Sequence, residues 1–516
     1  MKRILICAML MNAFLTLQAQ KSGLSAITRE NLRSYMTFFA SDEMQGRKAG
    51  TFSNDAAALY IGSNLIRIGV SMPAATGTYY QEVPMQRVEA KSILSVRNQE
   101  EVYETDSIVL LGMPFMSMET NAPVVFAGFG QADDKSGLNE IEDLDMKNKI
   151  VILMTGTPSS ILDGSDKDEI FADEESTKIT RVLMKGAKAV LFVYNPSSSY
   201  RDAYQSGIDE MSDNTFVNAE GTPVQGIPLQ AGFITQAAAN LILCPSGQTL
   251  AGLEKKILET GKSASFEVPG VSTALNTSLV ADKFKCRNVI GVIEGSDPVL
   301  KNEYVIYSAH FDHTGITDGE INNGADDNAS GSMALLEIAS AFMKLKKKPE
   351  RSIVFAWMNA EELGLVGSKY YAKNPVFPLE KTLLDINLDM VGRSKLPSDT
   401  GKIFGTELSV TGPRELEYYS KHENSTLDRM AEESAAAAGI KLIDKGNDLE
   451  WGSSDHMSFR EKGVVAVMFH SGIHADLHEP SDDIEKIDFD KMERSAKMCF
   501  LLGYKVADSK AGFLLE

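Results

Sequence analysis

Nearly continuous apolar runs alternate with helical segments throughout the second half of this chain of 516 residues. Such runs occupy 304–310, 351–358, 382–390 and 464–469, and they suit strands that are buried on both faces of a sheet. Between the first two, 329–345 carries apolar residues at helical spacing. The alternation predicts an α/β fold, in which helices cover both faces of a mostly parallel mixed sheet.

The chain is too long to form a single ordinary core, so we expect more than one domain. Composition changes near residue 120, where a series of short strands and helices begins. The pattern predicts a signal peptide at 1–19, the N-terminal part of the main domain at 20–115, a smaller α/β or β-rich insertion at 116–268, and the rest of the main domain at 269–516.

The first nineteen residues have the features of a secretory signal. Lys2 and Arg3 precede an apolar stretch, and Ala19 completes a suitable cleavage site. A short buried N-terminal helix is the alternative. No later stretch of the sequence reaches the length of a membrane helix. We therefore expect an exported protein, periplasmic or extracellular, that has no membrane anchor once the signal is removed.

Charge and cysteine content exclude some classes of site. The chain has 51 basic and 71 acidic residues and a formal net charge of −20, which argues against nucleic acid or anionic membranes as partners. Beyond the signal, the cysteines are Cys244, Cys286 and Cys499, and no Cys-x-x-Cys pair offers a thiolate metal site. They allow one disulfide at most, and we expect three buried, inert thiols.

Six of the seven histidines fall in two short clusters, which are His310 with His313, and His456, His470, His474 and His478. Acidic residues lie between the clusters, at 326–327, 361–362 and 389. Most of these positions follow a predicted strand, and the C-terminal ends of parallel strands open into the crevice where α/β enzymes bind ligands. Zinc accepts imidazole and carboxylate ligands without thiolates. The sequence therefore predicts a two-zinc site at one edge of the sheet, with His470 and His474 as bystanders.

The acidic residues can divide the work that a two-zinc hydrolase requires. A pair of zinc ions needs a bridging carboxylate, which 326–327 can supply. Of the adjacent Glu361 and Glu362, one can bind metal while the other moves the proton of the attacking water. Asp312, two residues after His310, is placed to orient that imidazole. Each motif alone also has ordinary structural uses, as a solvated loop, a helix cap or a charged helix start.

Several segments match a known pattern in both sequence and order. They are Ala-His-Phe-Asp-His at 309–313, Gly-Ala-Asp-Asp-Asn-Ala-Ser-Gly at 324–331, Glu-Glu-Leu-Gly-Leu-Val-Gly-Ser at 361–368, Asn-Leu-Asp-Met-Val-Gly-Arg at 387–393, Ser-Asp-His at 454–456 and His-Glu-Pro-Ser-Asp at 478–482. By these motifs the chain resembles the aminopeptidase Y / aminopeptidase S family of dizinc exopeptidases, peptidase family M28. The segment 42–47 looks like the family's opening motif, and the insertion resembles a protease-associated (PA) domain. The resemblance implies the zinc exopeptidase fold, which is phosphorylase/hydrolase-like.

The resemblance also implies a set of metal ligands. In that set, one zinc is held by His310 and Asp389, the other by Glu362 and His478, and the bridge between them is Asp327. The final histidine ligand is taken as 478 because Pro-Ser-Asp follows it at 480–482, as in the family.

Further roles follow from the same resemblance. Glu361 is implied as the general base, and then as the acid that protonates the leaving amine. His456 is implied as a group that stabilises the oxyanion or holds the substrate, and Asp455 as a residue that orients a ligand. The chain has Leu477 and Trp451 where many relatives have tyrosine, so the resemblance does not supply a tyrosine oxyanion donor.

The function predicted from these motifs is that of an exported zinc aminopeptidase, which hydrolyses N-terminal residues from peptides through a metal-bound water. A dipeptidase or a carboxypeptidase of the same superfamily is an alternative. A glutaminyl cyclase fits less well, because those enzymes keep one metal and this chain retains both sets of ligands. A catalytically inactive binding ectodomain is the alternative outside the enzymes.

Overall fold

A computed structural model describes residues 20–98, 101–110, 117–133, 138–158, 173–197, 215–220, 230–317, 319–403, 406–421, 425–446 and 454–509. The predicted signal peptide at 1–19 and Trp451 lie outside these residues.

The chain divides into two compact units. The larger, which we call the main unit, combines Met1–Met85 with Phe284–Glu516, and the inserted unit is Gln86–Lys283. The inserted unit is therefore longer at both ends than the 116–268 expected from composition. Both divisions fall inside long strands, Tyr80–Asn98 and Val271–Ile293, whose continuous β pattern hides the boundary in the sequence.

Four adjacent parallel strands form the centre of the sheet in the main unit. Tyr304–His310 pairs with Ser352–Met358 on one side and with Thr382–Leu388 on the other, and Thr382–Leu388 pairs in turn with Ala466–His470. Antiparallel neighbours lie beyond them: the end of Val271–Ile293 on one side, and Glu415–Tyr419 on the other. The predicted mixed, mostly parallel sheet is therefore confirmed. Lys441–Gly446 pairs in parallel with Glu415–Tyr419 and is the last strand on that side of the sheet.

Helices cover both faces of this sheet. They are Arg29–Phe39, Phe52–Ile68, Gly331–Met343, Val366–Lys373, Ser425–Ala438, His456–Arg460 and Phe489–Ala507. Successive residues of a strand point to opposite faces, and accordingly Val305 and Tyr307 enter one apolar cluster, whereas Ile306 enters a second. This burial on both sides explains why the strands are apolar without interruption.

The helix Gly331–Met343 begins where the loop of the predicted bridging carboxylate ends. The preceding segment, Ala325–Ser330, is interrupted by non-helical backbone at Asp327 and Asn328. Nearly every residue of Gly331–Met343 is buried, and its Phe342 ring packs edge-on against Phe355 of the sheet. The loop is thus attached to a helix that the core holds in place.

The inserted unit has its own sheet and core. Its strands, in spatial order, are Phe266–Glu267, Val124–Phe126, Ile150–Met154, Ala189–Val193, Gln230–Ile234 and Ile108–Leu110. Its α-helices include Asp173–Met184, Gln236–Leu243 and Leu250–Thr260. Four of these strands, from Val124–Phe126 to Gln230–Ile234 in spatial order, run parallel to one another. The described residues therefore form an α/β unit; its likeness to a PA domain stays a prediction.

All three cysteines of the described residues are free thiols. Cys286 and Cys499 are buried, as expected, but Cys244 is exposed, so the prediction was wrong for that residue. Cys244 follows the helix Gln236–Leu243, which buries Ala238, Ala239, Ile242 and Leu243. Of the helices within the described ranges, none combines the length and apolar character that crossing a membrane requires.

Candidate metal centre

Neighbouring parallel strands bring His310 and Asp389 together. His310 is the last residue of its strand, and Asp389 follows the adjacent strand Thr382–Leu388. Because the two strands are parallel, their C-terminal ends meet at one edge. His310 Nε2 lies 3.3 Å from Asp389 Oδ1, and both residues are buried.

Asp327 lies between two histidines that are far apart in the sequence. Its Oδ1 atom is 3.3 Å from His310 Nε2, whereas its Oδ2 atom is 3.2 Å from His478 Nε2. The two oxygens of one carboxylate therefore face different imidazoles. This is the arrangement that a carboxylate shared by two cations requires.

The second half of the cluster contains Glu362 and His478, as the resemblance implied. Glu362 Oε2 lies 3.1 Å from His478 Nε2. Its Oε1 atom lies 2.7 Å from Nδ1 of His313, which is also 3.5 Å from Asp327 Oδ2. His313 was absent from the predicted site. The signal that could have found it is its position in the same loop as His310, three residues further on.

The carboxylate of Asp312 fixes the segment that carries the two glutamates. Its oxygens accept the backbone N–H groups of Glu361 at 3.1 Å and Glu362 at 3.4 Å. We expected Asp312 to orient His310, but His310 Nδ1 contacts the backbone oxygen of Asp312 at 3.2 Å and lies 3.9 Å from the Asp312 carboxylate. Asp312 thus holds His310 through the main chain and the glutamates through the side chain.

Glu361 lies at the edge of the cluster nearest to His310. The distance from Glu361 Oε2 to His310 Nε2 is 4.0 Å. Burial raises the pKa of Glu361 well above its usual value, and the nearby carboxylates of Glu362 and Asp389 raise it further. The segment starts from Ala360, whose φ of 56° lies in the left-handed region that residues with a side chain rarely adopt.

Buried charged residues hold the loops that carry the ligands. The Asp482 carboxylate accepts the backbone N–H groups of Asp326 and Asp327 at 3.0 and 3.1 Å. Arg47, within the predicted opening motif, donates to the carbonyl oxygens of Phe311 and Gly324 at 2.9 and 3.0 Å. Burial lowers the pKa of Arg47 to about 10, at which it still carries its charge at neutral pH.

The other predicted residues lie beside the cluster. His456 is buried at the start of a short helix, and burial together with Arg460 lowers its pKa to about 3, so it is neutral. Burial raises the pKa of Asp455 to about 6, against the opposing charge of His310. His474 Nε2 lies 3.6 Å from Asp326, whereas Asp327 faces His310 and His478.

His470, the other expected bystander, also has partners outside the cluster. Its Nε2 atom contacts Met390 Sδ at 3.1 Å, and its Nδ1 accepts the N–H of Gly472 at 2.8 Å. Met390 directly follows Asp389 and has a φ of 53°. His470 thus supports the turn after Asp389 through Met390.

The electrostatics of the cluster favour a cation at its centre. Burial lowers the pKa of His310, but the carboxylates of Asp389, Glu361 and Asp327 raise it well above its usual value. Burial also lowers the pKa of His478, but hydrogen bonds to Asp327 and Glu362 outweigh this effect and raise the pKa to about 11. The carboxylates therefore stabilise positive charge on the neighbouring imidazoles. Bound divalent cations would supply that positive charge instead.

The donor set fits such ions. Within the described residues, two groups place their ligand atoms within 4.8 Å of one another: His310, Asp327 and Glu362; and His310, Glu361 and Asp389. Buried histidine and carboxylate oxygen are ligands of zinc. The groups share His310, so they describe one continuous cluster and not two isolated sites.

Comparison with known proteins supports the fold and relates part of the chain to a known family. Residues 288–502, which include all these ligand candidates, match the family model of peptidase family M28. This match covers less than half of the chain. The chain is 31% identical over 187 residues to leupeptin-inactivating enzyme 1 of Streptomyces exfoliatus and 29% identical over 225 residues to aminopeptidase YwaD of Bacillus subtilis.

The chain matches less than half of the length of these two relatives. The alignments cover 36% of this chain and 36% of the Streptomyces enzyme, and 41% of this chain and 43% of the Bacillus enzyme. Solved structures match more of the chain. An aminopeptidase from Aneurinibacillus sp. strain AM-1 has a TM-score of 0.53 at 19% identity, over 95% of this chain and 97% of that one. A zinc aminopeptidase from Bacillus subtilis gives 0.52 at 18%, over 94% and 96%. At these identities the likeness concerns the fold.

Metal removal is expected to destabilise the main unit. Dialysis against a chelator should lower the Tm, and added zinc should restore it, because ions that bind only the folded state stabilise it by about 2.7 kcal/mol when present at 100 times their Kd. The rise in Tm on adding zinc should be smaller at pH 5 than at pH 7, since imidazole and carboxylate must be deprotonated to bind metal. Thermal unfolding followed by calorimetry measures both. An unchanged Tm with zinc at pH 7 would contradict a metal centre.

Proposed function

We propose that this protein is an exported zinc-dependent aminopeptidase, which hydrolyses N-terminal residues from peptides. The observation that carries the proposal is the position of Asp327, whose two oxygens lie 3.3 and 3.2 Å from His310 and His478. A carboxylate with one oxygen toward each of two histidines is suited to bridging two ions. The proposal is supported by the M28 match and by relatives that bear the names of aminopeptidases.

Two zinc ions would be held by five side chains. His310 and Asp389 would bind the first ion, Glu362 and His478 the second, and Asp327 both. When bound, zinc supplies Lewis acidity, which lowers the pKa of a water molecule and polarises the scissile carbonyl.

Glu361 would carry the proton in the reaction. Oε2 of its carboxylate would accept a proton from the attacking water and then donate that proton to the nitrogen of the leaving amine. The hydrogen bonds from the backbone of Glu361 and Glu362 to Asp312 support this role, because they hold the segment without using the side chain of Glu361.

Two buried groups beside the cluster would complete the site. His456 stays neutral because its pKa is lowered to about 3, so its ring could donate one hydrogen bond to the substrate carbonyl oxygen. Asp455 precedes it and would orient the His310 side of the centre, since His310 is its main charged neighbour. Both roles remain part of the proposal.

The named relatives favour a free amine as the recognised end of the substrate. Relatives from Bacillus subtilis and Trichophyton equinum bear the name aminopeptidase. Two bound zinc ions would offset the negative charge of Asp327, Glu361, Glu362 and Asp389. The choice of an aminopeptidase over a carboxypeptidase therefore rests on these relatives and not on the charge of the site.

A panel of peptides tests this proposal. We expect hydrolysis of aminoacyl-nitroanilides and of peptides with a blocked carboxyl end, and no hydrolysis of the same peptides after N-acetylation. Cleavage of N-acetylated peptides from the C-terminal end would indicate a carboxypeptidase, and cleavage of dipeptides alone a dipeptidase. A zinc-loaded protein that cleaves none of them would favour a binding ectodomain.

Export is the second part of the proposal. Cleavage after Ala19 would leave Gln20 as the first residue of the mature protein. Mass spectrometry of protein expressed with its full sequence measures this directly. A cytoplasmic product that retains residues 1–19 would contradict export.

A further inference from the structure

His313 is a buried imidazole whose polar contacts all lie on one side of the ring. Nδ1 is 2.7 Å from Glu362 Oε1 and 3.5 Å from Asp327 Oδ2. The other ring nitrogen, Nε2, is buried and has no hydrogen-bond partner in the described part of the chain. Burying an imidazole is costly unless a polar partner compensates. For His313 that compensation comes through Nδ1.

The atoms around Nδ1 are those of the second half of the metal centre. His478 Nε2 lies 3.2 Å from the same Asp327 oxygen and 3.1 Å from Glu362 Oε2. Two donors that bind one zinc tetrahedrally at 2.0–2.1 Å lie about 3.3 Å from each other. Three separations around this ring of donors, 3.1, 3.2 and 3.5 Å, are close to that value, and the 2.7 Å between His313 Nδ1 and Glu362 Oε1 is shorter. The rings of His313 and His478 meet edge-on, with centroids 5.6 Å apart, so both can face a common point.

We propose that Nδ1 of His313 is a ligand of the second metal ion, together with Asp327, Glu362 and His478. This inference rests on the metal centre of the proposed function and adds a donor to it. The two halves of the centre then differ in composition: the first has one imidazole, His310, and the second has two.

The difference in donors has a consequence for metal loading. Zinc is a borderline-soft ion that is well served by imidazole nitrogen, so a site with two imidazoles and two carboxylates binds it more tightly than a site with one imidazole. The half that contains His313 would therefore fill first when zinc is added to the metal-free protein. His310 and Asp389 would then bind the second equivalent.

Cadmium provides a direct reading of which nitrogens bind metal. The full-length protein, labelled with ¹⁵N-histidine and loaded with ¹¹³Cd, should show three imidazoles with cadmium–nitrogen couplings. Two of them, His310 and His478, should couple through Nε2, and His313 should couple through Nδ1. The tautomer pattern of each ring identifies the coupled nitrogen.

The outcomes separate this inference from the metal centre itself. Couplings at His310 and His478 alone, with a protonated Nδ1 on His313, would overturn the inference and leave His313 as a hydrogen-bond donor to Glu362. Absence of coupling at every histidine would overturn the metal centre as well. Both readings are independent of enzyme activity.

A pair of variants provides the second measurement. His313→Gln should lower the affinity for the tighter zinc ion by more than about 100-fold, which exceeds the effect expected from losing a partner that only orients a ligand. His474→Gln is the matched control, because it removes another buried imidazole that faces Asp326 and not Asp327. It should leave zinc affinity within a few-fold of that of the wild type. Equal affinity in His313→Gln and the wild type, in competition with a chromogenic chelator, would refute the added ligand.

Discussion

Glu361→Gln is expected to lower kcat by about 1000-fold while the protein keeps its zinc, since general acid–base catalysis contributes roughly 10²–10⁴-fold to such reactions. Glutamine has the size of glutamate but cannot accept and return the proton. The backbone N–H of residue 361 would still donate to Asp312, so the loop should stay in place. Steady-state kinetics and zinc content, measured on the same preparation, test the expectation.

The adjacent residue supplies the control for this variant. Glu362→Gln alters a carboxylate that contacts both His478 and His313, so it should lower zinc content as well as activity. The pair thereby separates proton transfer from metal binding at two consecutive positions. Full turnover by Glu361→Gln would remove this residue from the proposed mechanism.

Asp327→Ala is expected to abolish activity and to reduce zinc content by at least one ion per chain. The reason is geometric: both halves of the centre use an oxygen of this carboxylate, at 3.3 Å from His310 and 3.2 Å from His478. Without it, each half loses a ligand and the two cations lose the negative charge between them. Zinc analysis after gel filtration, together with the peptide assay, measures both effects.

Asp326→Asn is the matched control for that variant. Asp326 accepts the N–H of Gly392 at 2.7 Å and the hydroxyl of Ser471 at 2.8 Å, and its partners are structural. The substitution should leave zinc content unchanged even if it lowers the Tm. Loss of zinc in Asp326→Asn but not in Asp327→Ala would exchange the two residues in the proposal.

The sequence is most informative where a strand ends. His310 and Asp389 could be placed near each other because parallel strands have their C-terminal ends at one edge, and the apolar runs identified those strands. The assignment of 327 rather than 326 as the bridge depended on the family resemblance, since both residues have the same chemistry. The structure distinguishes them by their side chains. Asp482 accepts the backbone N–H groups of both residues, but only the Asp327 side chain faces both His310 and His478.

Other features depend on contacts that no local pattern specifies. The left-handed backbone at Ala360, Met390 and His478 occurs at, or within two residues of, three of the proposed ligands, at residues whose type does not favour it. The role of Arg47 requires carbonyl groups more than 260 residues away in the chain. In the sequence, His313 cannot be distinguished from a histidine outside the site, because only the fold places it next to Glu362 and Asp327. Tertiary packing determines each of these.

The limits of the inserted unit are difficult to read from the sequence for a different reason. Strands Tyr80–Asn98 and Val271–Ile293 belong to both sides of the division, so the β pattern continues where the unit changes. A change of composition near residue 120 therefore marks a place inside the unit and not its start. Compactness, which decides the division, depends on contacts between distant residues.

Anomalous X-ray scattering at the zinc edge, from crystals of the zinc-loaded protein, tests the central claim most directly. The account predicts two peaks about 3.5–4 Å apart, with Asp327 between them. One peak would be next to His310 and Asp389, and the other next to Glu362 and His478. A fully loaded crystal with no peak among these residues, or with a single peak, would contradict the two-ion centre.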